Sequence, residues 1–227
     1  MNVPMIDIIW FPPINVAAHY HADFDVGYAR PKKIDEMMTV AIALAALQES
    51  HGKPYWIQGV PDSEQSPDVR TMFCDDPVVD AAPLCYQQDV EVVTYTTHSQ
   101  TRTLPEFVAG TKLANTAGYD AQTIVLVNVQ ASVRLGSESE WTKVLGTTGK
   151  KNQVLVLGLI NKVVPLYRLA SVHPPEVAID YNPYELLKKT AHTKVRRWHR
   201  GTKNKVSENS DEKHCPFEKF GITCRLI

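Results

Sequence analysis

The sequence has no apolar run long enough to cross a membrane. Its longest apolar segments, Val40–Leu47 and Val154–Ile160, are far shorter than the roughly 18 residues that a transmembrane helix needs. The apolar start, Met1–Phe11, has no basic residue and no small-residue cleavage site, so it does not resemble a signal peptide. We therefore expect a cytoplasmic protein that does not enter a membrane.

Cysteine is scarce, and glycine is nowhere concentrated. The four cysteines are irregularly spaced and form no pattern typical of a disulfide framework, so free thiols are expected. No Gly-rich phosphate loop is present, and the pattern GxxxxGK[ST] is absent. The sequence therefore argues against a secreted disulfide scaffold and against a nucleotide-driven motor.

Charge is divided unevenly along the chain, although the formal net charge is only −1. Residues 1–187 carry 13 basic and 21 acidic side chains, whereas residues 188–205 carry eight Lys or Arg and no acidic residue. The acidic body argues against a broad DNA-coating surface. The basic segment combines cations with a Trp, which suits phosphate contact and base stacking. The candidate nucleic-acid contacts are Lys194, Arg196, Arg197, Trp198 and Arg200.

Helical and strand patterns alternate along the central part of the chain, which predicts an α/β domain of three layers with helices flanking a mixed sheet. We expect an N-terminal extension at 1–33, the domain at 34–190 and a basic, partly flexible tail at 191–227. The predicted helices are Ile34–Gln48, Leu104–Ala117, Glu138–Leu145 and Pro183–Thr190. The predicted strands are Pro54–Val60, Val69–Cys74, Asp89–Thr96, Thr123–Val129, Val154–Ile160 and Tyr167–Val172.

Acidic residues stand on two of these predicted strands. Asp68 follows Pro67 at the start of one strand, and Asp89 and Glu91 alternate on another, so those two side chains point the same way. Neighbouring carboxylates on an apolar strand repel each other, and a divalent cation relieves that repulsion. Together with Asp68 they would form a hard oxygen site suited to Mg²⁺ or Mn²⁺, which activates water and stabilises charge on a phosphate.

This order of elements and acids resembles the core of the PD-(D/E)XK, or restriction-endonuclease-like, nuclease superfamily. The resemblance covers roughly residues 34–129: a helix, a hairpin with Pro67-Asp68, a strand with Asp89-Val90-Glu91, and then a helix and an apolar strand. It implies that Asp68 is the first metal ligand and that Glu36, on the preceding helix, is a supporting acid. It also implies nucleic acid as the partner, Mg²⁺ or Mn²⁺ as the cofactor and phosphodiester hydrolysis as the reaction.

The lysine of the family motif is not at its usual position. If Glu91 is the motif acid, Val93 takes the lysine position; if Asp89 is the motif acid, Glu91 takes it. A third assignment supplies the amine from the following helix, at Lys112. These assignments stay open, and so does a catalytically inactive nuclease fold that serves in protein–protein interaction or assembly. Nucleic-acid binding through residues 193–205 alone is a further alternative.

Each acid also fits an ordinary structural role. Asp68 after a proline is a common turn residue, and Asp89 would suit the solvent end of a strand. Glu91 would fit the polar face of a half-exposed antiparallel strand. None of these roles needs a metal ion.

Three further sets of residues carry weaker patterns. A His-x-His-x-Asp run has the strand spacing of metal ligands, a His-Ser pair lacks an orienting acid, and four His and Cys near the C-terminus fit no zinc spacing. We expect ordinary surface or core roles for all of them. These residues are His19, His21, Asp23, His98, Ser99, His199, His214, Cys215 and Cys224.

Overall fold

The computed structural model is an α/β fold built on a seven-stranded mixed sheet. It describes residues 8–10, 13, 16, 32–60, 67–74, 85–113, 122–148, 152–161, 166–175, 178–182, 185, 195–198 and 206–209. The strands are β1 (Ile8–Trp10), β2 (Tyr55–Gly59), β3 (Val69–Cys74), β4 (Cys85–Tyr95), β5 (Ile124–Val129), β6 (Val154–Asn161), β7 (Leu166–His173), β8 (Ile179–Tyr181), β9 (Val195–Trp198) and β10 (Val206–Asn209). The helices are α1 (Lys32–His51), α2 (Leu104–Val108), which continues into a π-helical turn at Ala109–Leu113, and α3 (Glu138–Thr148).

The large sheet has the strand order β2-β3-β4-β5-β6-β7-β8. Strands β4, β5 and β6 are parallel to one another, and the other neighbours are antiparallel. A hydrophobic core lies on each face. Ile124 and Leu126 of β5 belong to the core that contains α1, whereas Val125 and Val127 belong to the core that contains α2 and α3. The predicted α/β class with a mixed sheet and flanking helices is therefore confirmed.

Burial explains the composition of the central elements. Every residue of α1 from Glu36 to Ala46 is buried, and a helix that is apolar on most sides is stable only when it is covered. Strand β5 is covered on both faces, which accounts for its continuous apolar run. Gly52, with a φ of 67°, ends α1 by donating its N–H to the carbonyl of Gln48 at 2.9 Å.

Two of the predicted elements differ clearly in extent, and strand β8 was not predicted. Strand β4 begins at Cys85 rather than Asp89, because antiparallel pairing with β3 stabilises its polar first half and stacks Tyr86 on Phe73 with ring centres 5.1 Å apart. The predicted helix Leu104–Ala117 is an α-helix only as far as Val108. Its π-helical continuation contains Thr111, whose hydroxyl donates to the carbonyl of Phe107 at 2.7 Å.

A second, three-stranded antiparallel sheet joins segments from both ends of the chain. Strand β9 lies between β1 and β10, with Arg197 opposite both Ile9 and Ser207. Two segments of the predicted tail are thus strands, and the rest of that tail lies outside the described residues. So does most of the predicted last helix, and the domain boundaries stay predictions. Among the described helices, none is long and apolar enough to span a membrane.

The central strand should dominate the stability of the fold. Leu126 is 1% exposed, so Leu126→Ala should lower the free energy of unfolding by about 2–5 kcal/mol through lost burial and a residual cavity. Leu159→Ala is the matched control. Because Leu159 is 39% exposed, its substitution should lower the free energy of unfolding by less than about 1 kcal/mol. Urea denaturation measures both, and equal losses would contradict the assigned core.

Candidate functional site

The candidate site lies where β3 begins and where β4 continues beyond its pairing with β3. Val69, the first residue of β3, pairs with Val90, so β4 extends five residues past its antiparallel partner. Asp68 lies at this point, and its Oδ2 accepts a hydrogen bond from the Val92 N–H at 2.8 Å. The carboxylate thus satisfies a backbone donor of β4 that β3 no longer reaches. Asp68 is buried, at 5% exposure.

Glu91 is the most deeply buried acid of the site. Its neighbours Val90 and Val92 lie in the core under α1, so the alternation of the strand directs Glu91 to the opposite face, toward α2. The residue is 1% exposed. An isolated charge at that depth would be strongly destabilising unless it were paired. The side chain that pairs with it therefore decides whether this strand is stable.

Lys112, from the π-helical turn, supplies that pairing. Its Nζ donates hydrogen bonds to Glu91 Oε2 at 2.7 Å and to Asp68 Oδ2 at 3.2 Å. Because both contacts are to one nitrogen, the two carboxylate oxygens lie within about 6 Å of each other. The structure thus brings together three of the residues that the sequence singled out, Asp68, Glu91 and Lys112.

Two further cations, Lys33 and Lys32, come from the first turn of α1. Lys33 Nζ is 3.5 Å from Asp68 Oδ1 and 3.7 Å from Glu36 Oε2, so it joins these two carboxylates. Lys32 Nζ lies 3.0 Å from Glu36 Oε1. These contacts to Glu36 fall outside hydrogen-bonding geometry, and among the described residues neither of its buried oxygens has a hydrogen-bond donor. Glu36 is thus next to the cluster, linked to it through Lys33.

Asp68 has a lowered pKa despite its burial. Burial raises the pKa of this carboxyl, but the Val92 N–H, the ammonium of Lys112 and that of Lys33 together outweigh this effect. The net direction is downward, so the group is ionised at neutral pH. An ionised carboxylate with two cations beside it stabilises the folded chain and is also the protonation state that binds a metal ion.

Asp89 lies on the same face of β4 as Glu91, as the alternation predicted, but its ion pair is with Arg70. The two residues are opposite each other in the β3–β4 register, and Arg70 Nε is 3.9 Å from Asp89 Oδ1. No described residue donates a hydrogen bond to this buried oxygen. The acids therefore divide into Asp68 with Glu91 around Lys112, and Asp89 beside Arg70.

The other sequence candidates do not join this cluster within the described ranges. His98 is exposed in a 3₁₀ turn at Thr97–Ser99, where the Ser99 hydroxyl accepts from the Thr96 N–H at 3.2 Å. Strand β9 contains Arg196, Arg197 and Trp198, of which only the backbone is described. Their side chains lie outside the described residues, as do Lys194, Arg200, His19, His21, Asp23, His199, His214, Cys215 and Cys224.

Asp68 and Glu91 offer the hard oxygen donors that Mg²⁺ prefers, although they do not form a complete protein cage. Within the described ranges, no three His, Cys, Asp or Glu side chains converge to hold a metal ion. Mg²⁺ does not require such a cage, because it commonly binds through one or two carboxylates and takes its other ligands from water and substrate phosphates. The donor set of Asp68 and Glu91 matches that requirement.

Lys33 was not singled out in the sequence, and neither was its link between Asp68 and Glu36. The only local signal is its position three residues before Glu36, which places both on one helix face. Its contact with Asp68 joins residues 35 positions apart in the chain and depends on how α1 lies on the sheet.

No family model, curated protein or solved structure matches the chain. The geometry of the site is therefore the basis for a functional assignment.

Removal of the Lys112 ammonium should destabilise the fold, because Asp68 and Glu91 would both lose a cationic partner of their buried carboxyl groups. We expect Lys112→Met to lower the free energy of unfolding by about 3–5 kcal/mol at neutral pH, measured by urea denaturation. Adding Glu91→Gln to this variant should restore part of the loss. The exposed Lys143→Met serves as control, with a change within about 0.5 kcal/mol. A loss no larger than that of the control would contradict the pairing.

The lowered pKa of Asp68 predicts a pH-dependent contribution to stability. Its native pKa is below the unfolded value of about 3.9, so the contribution is fully present above that pH and is lost as the pH falls through the native pKa. Asp68→Asn should therefore lower the melting temperature at pH 7, and the difference from the wild type should close below about pH 4.

Asp180→Asn is the matched control for this experiment. Asp180 also has a lowered pKa, because of its hydrogen bond with Arg168, but its side chain is 39% exposed. Molar salt should therefore suppress the effect of Asp180→Asn and leave most of the effect of Asp68→Asn. If salt removes both effects equally, the Asp68 carboxylate is not shielded as described.

Proposed function

We propose that the chain is a divergent member of the PD-(D/E)XK superfamily, with a restriction-endonuclease-like core, that binds nucleic acid and hydrolyses phosphodiester bonds with Mg²⁺ or Mn²⁺. One observation carries the proposal: a single ammonium, Lys112 Nζ, donates hydrogen bonds to both Asp68 and Glu91. Two acids from a hairpin and one lysine in mutual contact are the groups that metal-assisted phosphoryl chemistry needs.

The contacts favour one of the three readings of the motif. Val93, at the usual lysine position, packs with the core under α2 and supplies no amine. Lys112 contacts Glu91 directly, so we assign Glu91 as the motif acid and Lys112 as the lysine supplied by the following helix. Asp89 then stands outside the motif, since its ion pair is with Arg70.

Asp68 and Glu91 would hold the cation. Both offer hard carboxylate oxygens, and the lowered pKa of Asp68 keeps that group ionised at neutral pH. When bound, the cation supplies water activation and stabilisation of negative charge on the phosphate. Glu36 contacts Asp68 through Lys33 rather than directly, so it remains outside the ligand pair in this proposal.

The side chains of the cluster have separable roles toward a phosphodiester. Lys112 keeps the two carboxylates together before substrate arrives and presents a positive charge beside them, which stabilises charge that develops on a phosphate oxygen. Lys33, at a quarter exposure, provides a second ammonium next to Asp68 that solvent and substrate can reach. Lys194, Arg196, Arg197 and Arg200 would bind flanking phosphates, and Trp198 would stack on a base or ribose.

A cleavage assay tests this function directly. End-labelled single-stranded DNA, duplex DNA and RNA are incubated with the protein in EDTA, Mg²⁺ or Mn²⁺. We expect cleavage of at least one substrate only with a divalent ion, and a loss of at least about 100-fold in Glu91→Gln and Lys112→Met. Glu138→Gln, an exposed acid at the start of α3, should cleave like the wild type. Metal-independent cleavage, or full activity of Glu91→Gln, would contradict the proposal.

A second candidate is a nuclease fold without activity that serves in protein–protein interaction or assembly. The favouring observation is that Lys112 already compensates Asp68 and Glu91, so the cluster is electrostatically satisfied as a structural element. This candidate predicts no cleavage with any ion and a Glu91→Gln effect confined to stability. Binding of nucleic acid through residues 193–205 alone would instead give steep salt dependence that survives Asp68→Asn.

A further inference from the structure

A polar cleft of about 260 Å³ lies directly beside the candidate site. It opens between the first turns of α1 and the carboxyl ends of the parallel strands β4 and β5, which is where α/β sheets commonly bind ligands. Lys112 forms part of its wall and also contacts Asp68 and Glu91. A ligand in the cleft would thus lie next to the proposed reaction centre.

Glu36 is the feature of this cleft that calls for a ligand. Its side chain lines the cleft and is 5% exposed, yet neither carboxylate oxygen accepts a hydrogen bond from a described residue. Buried polar atoms normally have such partners, and those that lack them call for an explanation. Both oxygens have an ion-pair partner instead: Lys32 Nζ lies 3.0 Å from Oε1 and Lys33 Nζ lies 3.7 Å from Oε2. Lys32 is 83% exposed, so its displacement by a ligand would cost little.

The remaining walls suit a flat heterocycle with a polar edge. Val92 and Val93 of β4 line one side of the cleft, and Asn128 and Gln130 line it at the carboxyl end of β5. Asn128 is held in place, since its Nδ2 donates to Thr39 Oγ1 at 3.3 Å. The volume is just below the range of about 300–1,000 Å³ typical of small-molecule sites, so it matches one base rather than a whole nucleotide.

We propose that this cleft binds an unpaired guanine base through Glu36. The inference rests on the proposed function, because the nucleic-acid substrate class comes from the neighbouring cluster. Guanine presents two adjacent donors, N1–H and the 2-amino group, that match the two oxygens of one carboxylate. Adenine and cytosine place a ring acceptor beside their amino group, and uracil and thymine flank a single N–H with two carbonyls.

Recognition of this kind restricts the substrate. The N1–H and 2-amino groups of guanine are engaged in a base pair, so Glu36 reaches them only in a single strand or after the base leaves the duplex. The protein therefore acts on single-stranded or locally opened nucleic acid with a guanine next to the cleaved bond. Substrates without guanine should be cleaved more slowly.

Nucleoside binding in EDTA tests the cleft without involving metal or cleavage. Guanosine, inosine, adenosine, cytidine and uridine are titrated into the labelled full-length protein and followed by amide chemical shifts in NMR. We expect guanosine to shift the amides of Val93, Thr94 and Gln130 and to bind at least about 10-fold more tightly than inosine, which lacks only the 2-amino group.

Two carboxylate variants complete the test. Glu36→Gln should lose the preference for guanosine by about 10-fold, while Glu138→Gln should keep it. Equal binding of guanosine and inosine by the wild type, or shifts away from the cleft, would overturn the proposal even if Glu36→Gln failed to fold. Guanosine binding without cleavage activity would support guanine binding in the cleft and contradict the proposed nuclease function. Cleavage without guanosine binding would support the nuclease function and contradict guanine binding in the cleft.

Discussion

The ammonium of Lys112 is the group on which the arrangement of this protein depends. Glu91 is buried within β4, and Asp68 is buried beside it, so the fold places two carboxyl groups almost out of reach of water. Such charges are tolerated only when they are paired. The π-helical turn after α2 places Lys112 in contact with both. The stability of this part of the sheet and the proposed chemistry thus depend on the same three side chains.

The site also depends on a mismatch of strand lengths. Because β4 extends beyond its pairing with β3, part of the β4 backbone has no β3 partner on that side. The Asp68 carboxylate accepts the hydrogen bond of one such group, the Val92 N–H. On the other edge β4 continues beside the parallel strand β5, whose end forms one wall of the cleft under α1. A single strand therefore carries Glu91 on one face and borders the guanine cleft on the other.

Local sequence signals were sufficient for most strands of the large sheet, but not for β8 or for the three-stranded sheet. Strand β3 lies at its predicted residues, and the apolar run of β5 marked a strand covered on both faces. Alternation along β4 correctly placed Asp89 and Glu91 on one face. It did not reveal that Arg70 would pair with Asp89, because that contact depends on the β3–β4 register.

Tertiary geometry accounts for what the sequence left open. Lys112 was one of three assignments for the missing lysine, and helical periodicity does not disclose the π-helical turn that brings its Nζ to Glu91. Lys33 and the cleft were not predicted, since both depend on the way α1 crosses the sheet. Glu36 was singled out by its position in the family pattern, whereas its buried oxygens without hydrogen bonds became visible only in the folded chain.

Direct measurement of Mn²⁺ binding tests the central claim most sharply. Electron paramagnetic resonance counts free Mn²⁺ in titrations of the wild type, Glu91→Gln and the exposed-acid control Glu138→Gln. We expect the wild type and the control each to bind one Mn²⁺ per chain and Glu91→Gln to bind it at least about 10-fold more weakly. Absence of Mn²⁺ binding by the wild type, or unchanged binding by Glu91→Gln, would contradict the claim that Asp68 and Glu91 form a cation site.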